Sequence, residues 1–173
     1  YAITGLGPVH ITIANFEFFR RVLEHVFSFT LTNQKDNLYL FEVGQGGNGA
    51  SVIVEHKVTP PQAQQGYGTI HHLAFRVEDR IELDKWDEHI RSFGFQTSGY
   101  VDRHFFESNY VQVAPQILFE LATDGPGFMG DEPYETLGEK LSLPPFLEAE
   151  RETIESLVRP INTIRSTKKF TKE

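Results

Sequence analysis

The chain has 173 residues, a formal charge of −8 and no cysteine; 39% of its residues are hydrophobic and 13% aromatic. That is enough apolar material for a real core, and it excludes disulfide frameworks, thiolate metal sites and thiol nucleophiles. The negative charge argues against nucleic acid, whose phosphates need a clustered basic surface, and no apolar run approaches the ~20 residues that span a bilayer.

A cytoplasmic location without membrane contact is therefore the expectation. The start at Tyr1 rather than Met suggests a fragment or a processed form. Fifteen Phe point to an aromatic-rich core or pocket.

In chain order, "VHITI" alternates as a short strand, and "FEFFRRVLEHVF" has helical spacing. Gly46-Gly47-Asn48-Gly49 makes a tight turn before the strand "SVIVEHK". "KVTPPQAQQGYG" reads as a linker. A second strand-helix pair follows in "HLAFRV" and "RIELDKWDEHIRSFG"; Leu83, Trp86 and Ile90 form one apolar stripe, and Gly94 is a C-terminal stop. The strands "FQTSGYVD", "FFESNYVQV" and "ILFELAT" complete this half, with Pro115 at a break. Beyond them a short helix is expected over 148–157 after Pro144-Pro145. The Lys168-Lys169 cluster is expected to be a solvated tail, and residues past Thr163 to be disordered.

The two halves are weak copies of one unit. His10 aligns with His72 at an offset of 62, Phe27-Ser-Phe29 with Phe93-Gly-Phe95 at 66, and Glu55 with Glu120 at 65. The expected organisation is a first βαβββ module over 1–62, a second over 63–125 and a C-terminal extension over 126–173.

Alternation separates two faces in each module. Val9, Ile11, Ile13, Leu73, Phe75 and Val77 belong to the helix side, as do Val52, Val54, Phe119 and Leu121. His10, His72, Tyr110, Glu120 and Glu55 then share the other face. A carboxylate among Phe and Leu is costly unless it is paired or bound to a metal. Without thiols, a metal site must use His, Asp and Glu, which suits iron, manganese, zinc or nickel. His71 falls on the helix side or at the strand edge and reads as a structural or exposed histidine.

"HHLAFRV", with the Glu of "ILFELATDGPGF" 48 residues after His72, resembles the metal-bearing module of the vicinal-oxygen-chelate superfamily. That group includes glyoxalase I, bleomycin-resistance proteins and extradiol dioxygenases. "GYVDRHFFESNY", "FELATDGPGF" and "LGEKLSLPPFLEAERETIE" resemble the C-terminal half of ring-cleaving dioxygenases, most closely the hydroquinone branch. The resemblance implies an α+β fold of two βαβββ modules with curved mixed sheets. It implies Fe(II), with Mn, Zn or Ni as substitutes, and an aromatic substrate with O2. His72 and Glu120 match the metal ligands, and His10 is a candidate third by the repeat. The alternative source of that ligand is a histidine in a missing N-terminal half. Tyr110 matches a tyrosine that hydrogen-bonds substrate; Arg103 and His104 are candidates to contact a phenolate or act as acid or base, and His56 is a remoter one. Exposed sheet edges imply a homodimer or association with an N-terminal domain. Two rivals accompany this reading: a glyoxalase-like metalloisomerase or lyase, in which Glu55 would join Glu120, and a metal-free binding module of the bleomycin-resistance type.

Overall fold

The computed structural model describes residues 5–61 and 63–163. The tail expected to be disordered past Thr163 lies outside the described residues.

Two four-stranded mixed sheets carry the fold. In the first, β1 (Val9–Ile13) runs parallel to β4 (Ser51–His56), which pairs antiparallel with β3 (Leu38–Glu42), followed by β2 (Thr30–Lys35). In the second, β5 (Leu73–Val77) runs parallel to β8 (Ile117–Pro126), then come β7 (Phe106–Ala114) and β6 (Val101–Asp102). Each sheet has its first strand at an edge and its last strand inside, with a helix as the crossover between its first two strands. This is the α+β, twofold βαβββ architecture expected from the repeat.

α1 (Phe16–Arg21) starts where Asn15 Oδ1 accepts the Phe18 amide, and then widens into a π-helical turn over Val22–Val26. The helical pattern "FEFFRRVLEHVF" is thus realised in two forms. α2 (Arg80–Ser92) is capped by Asp79, which accepts the Glu82 amide at 2.9 Å. Gly94 follows its C-terminus at φ +86°, where a residue without a Cβ is favoured. Leu83 and Ile90 are buried, as the apolar stripe predicts.

One strand is shorter than its sequence suggests. "FQTSGYVD" contributes only Val101–Asp102 and an isolated bridge from Thr97 to Val111. Gly99 at φ +68° breaks the extended run, and the Ser98 hydroxyl turns to the Gly99 carbonyl. The break near Pro115 falls at Gln116, which takes φ +61° between β7 and β8.

The two sheets share one core. Phe27, leaving the π turn of the first half, stacks on Phe75 and Trp86 and meets Phe119 edge-on at 5.1 Å between centroids. Phe19 of α1 also meets Phe119. His89 on α2 hydrogen-bonds the Val26 carbonyl across the same seam. Burial of Phe19, Phe41 and Phe119 stabilises each by roughly 1.5–3 kcal/mol relative to exposure.

The extension folds differently. The expected helix is α3 (Arg151–Leu157), preceded by a 3₁₀ segment over Pro145–Glu150, and neither buries a residue. Arg151 holds them together by donating to Glu148, Glu155 and the Leu141 carbonyl. Among the described residues no helix is long and apolar enough to cross a membrane.

Candidate metal site

Because β5 and β8 are parallel neighbours with Ala74 opposite Glu120, their inward residues Leu73, Phe75, Phe119 and Leu121 fill the core. His72 and Glu120 are left on the far face. Glu120 is nevertheless only 2% exposed. His72 Nε2 stands 2.7 Å from Glu120 Oε2, while Oε1 has no hydrogen-bond partner. A buried carboxylate oxygen left unsatisfied costs about 1–3 kcal/mol, more when charged. A divalent cation beside the imidazole would satisfy it, so the donor set fits a metal.

His71 supplies what the sequence reading missed. Its Nδ1 lies 2.8 Å from His72 Nδ1, with the rings nearly perpendicular. One nitrogen must donate to the other, so His71 fixes the orientation of the His72 ring, the usual task of a neighbour to a metal-binding imidazole. The adjacency of two histidines was the only signal for this.

The first module contains a filled version of the same arrangement. His10 Nε2 lies 3.5 Å from Glu55 Oε2, which also accepts the Thr12 hydroxyl at 3.0 Å. Lys57 Nζ stands 2.9 Å from Glu55 Oε1. The Lys57 hydrogen bond is the main cause holding the Glu55 carboxyl below its ordinary value, outweighing desolvation. By the repeat offsets, the positions of Thr12 and Lys57 in the second module are Ala74 and Ala122. Neither alanine side chain can donate, which accounts for the orphan oxygen of Glu120.

His10, the candidate third ligand, lines a common cleft with His71, His72 and Gln116, and its Nε2 faces Glu55. Among the described residues no three His, Asp or Glu side chains converge as a metal site. The reason is topological: each first strand pairs with the last strand of its own sheet, so each histidine reaches its own glutamate. Glu55, the extra ligand of the lyase reading, is already neutralised by Lys57.

Tyr110 is opposite Glu120 in the β7–β8 register, and its ring meets His72 edge-on at 5.8 Å. Arg103 Nε donates to the Tyr110 hydroxyl at 3.0 Å. His104, the candidate acid or base, has its Nε2 engaged by Asp131 Oδ2 at 2.7 Å. His56 stacks on Phe16, apart from this group.

The topology and the paired His–Glu arrangement define a class, the vicinal-oxygen-chelate fold. Comparison with known proteins agrees. A glyoxylase/bleomycin resistance protein/dioxygenase domain from Frankia sp. EAN1pec superposes with a TM-score of 0.61 at 16% identity, over 74% of this chain and 97% of that one. In sequence, the chain is similar to proteins named as ring-cleaving dioxygenases. It is 39% identical over 166 residues to the Bacillus subtilis protein named "Putative ring-cleaving dioxygenase MhqA", covering 93% of this chain and 52% of the relative. It is 32% identical over 130 residues to the chlorohydroquinone/hydroquinone 1,2-dioxygenase of Sphingobium indicum, covering 72% and 38%. The crystal structure of a Bacillus subtilis protein described as a "putative dioxygenase" superposes with a TM-score of 0.83 at 32% identity, over 92% and 51%. The chain thus spans about half the length of the curated relatives it matches. No family model matches it.

Proposed function

We propose that this chain is part of a metal-dependent, extradiol-type ring-cleaving dioxygenase acting on hydroquinone- or catechol-like aromatics, with Fe(II) as the working metal. The observation that carries the reading is the buried, half-satisfied Glu120 held 2.7 Å from His72 Nε2. His72 and Glu120 would hold the ion, and further donors come from outside the described residues, in a partner domain or a second copy of the chain. The bound ion supplies the redox chemistry that lets O2 react with an ionised aromatic diol.

The chain's own residues do the rest. The Glu120 carboxylate brings negative charge to the ion from a site closed to water. Tyr110 presents its hydroxyl beside His72 to hydrogen-bond a substrate oxygen, and the Arg103 guanidinium at 3.0 Å fixes that hydroxyl and favours a negatively charged phenolate nearby. The division into 1–62, 63–125 and 126–173, a cytoplasmic location and self-association complete the proposal.

Anaerobic loading with Fe(II), followed by oxygen uptake with hydroquinone and with catechol, tests it. Substrate-dependent consumption abolished by His72→Ala and Glu120→Ala is expected, in this chain or in a longer form that supplies the remaining donors. Metal binding that survives both substitutions would overturn it.

A further inference from the structure

We infer that His104 and Asp131 form a brace that positions Tyr110 through Arg103, making the C-terminal extension part of the site. This rests on the reading of Tyr110 as a substrate-facing group. The turn Arg103–Phe105 joins β6 to β7, closed by the Arg103 amide on the Phe106 carbonyl and the Phe105 amide on the Arg103 carbonyl. At its tip His104 takes φ +69°, a left-handed conformation that residues with a Cβ rarely adopt. Such a conformation persists only where neighbours hold it. Here the His104 amide donates to Asp102 Oδ1, and its ring nitrogen bonds Asp131, each at 2.7 Å.

The extension grips the turn at further points. The Gly127 amide donates to the Phe105 carbonyl at 2.7 Å, and Phe128 packs on Phe105 with centroids 5.1 Å apart. Ser142 donates to the same Asp131 oxygen that His104 engages, tying the next loop to it. Arg103 leaves this turn exposed, with a long side chain that would otherwise sample many rotamers. A fixed backbone at residue 103 is what lets its Nε meet the Tyr110 hydroxyl at 3.0 Å. Asp131 and His104 therefore act on Tyr110 at second hand, as positioning residues.

The chain labelled with 3-fluorotyrosine reports the effect by ¹⁹F NMR; Tyr110→Phe assigns the resonance among the six tyrosines. His104→Ala and Asp131→Asn are expected to move the Tyr110 resonance in the direction that Arg103→Ala moves it. The double variant should move it no farther than either alone, and His104→Gln, which keeps a donor toward Asp131, should restore the wild-type position. Mn(II) affinity, read by titration, should stay within about 2-fold of wild type, since His72 and Glu120 are untouched. A Tyr110 resonance unmoved in both His104→Ala and Asp131→Asn would overturn the brace, as would one unmoved in Arg103→Ala. Failure of the wild-type chain to bind Mn(II) would instead count against the proposed metal site and leave the NMR result readable.

Discussion

Lys57 holds its ammonium 2.9 Å from Glu55 Oε1, and the equivalent of Lys57 beside Glu120 is Ala122. The duplicated unit therefore exists in two electrostatic versions. One carries its own cation on a side chain; the other presents a buried carboxylate with an oxygen to spare. The same backbone supports both, because the register sets Thr12 against Glu55 and Ala74 against Glu120.

Ala122→Lys should convert the open version into the closed one. Metal affinity is expected to fall about 10-fold or more, the scale of losses when the surroundings of a metal ligand are altered. The metal-free protein should melt at a higher temperature than wild type. Calorimetric metal titration and melting curves in chelator check both outcomes.

Removing His72 should cost stability even without metal. His72→Ala leaves the Glu120 carboxylate buried with neither oxygen paired to an imidazole, and a loss of roughly 3 kcal/mol is expected for breaking a buried pair on one side. Replacing both residues, as His72→Ala with Glu120→Leu, should recover much of it. Urea unfolding of the single and double variants measures the difference.

Phe27→Ala should damage both halves at once. The ring contacts Phe75, Trp86 and Phe119, all from the second half. A loss of about 3–5 kcal/mol is expected for a buried Phe. Amide exchange should then show opening of α2 and of the first sheet together.

Asp87 gives the protein an acid-sensitive joint between α2 and β7. Burial pushes its carboxyl up, but Thr97, Asn109 and Arg91 together outweigh this and hold it below the ordinary value. A depressed folded-state pKa gives stability that is complete above the unfolded value of about 4 and is lost as pH falls through the folded one. Melting temperature between pH 7 and pH 3 should fall less steeply in Asp87→Asn than in wild type.

Period-two alternation made β1, β5 and β8 legible, and with them the faces of His72 and Glu120. The apolar stripe Leu83, Trp86, Ile90 and the stop at Gly94 made α2 legible for the same local reason. Long-range choices were not. Nothing along the chain says that His10 faces Glu55, because that follows from which strand lies beside β1. Lys57 carried no mark of its role until Ala122 was seen in its place. The partner of His104 was not legible either, because Asp131 is 27 residues away in the extension. The break at Gly99 was visible as a glycine, but not as a left-handed one.

β5 lies at the border of its sheet, bonded along one flank only, to β8. His72, the residue just before it, and the interior Glu120 are therefore the two jaws of a clasp. An ion caught between them would fasten a loosely hemmed strand to the fabric behind it, so loading and unloading should be felt as seam tightening along Leu73–Val77, well before any aromatic guest arrives.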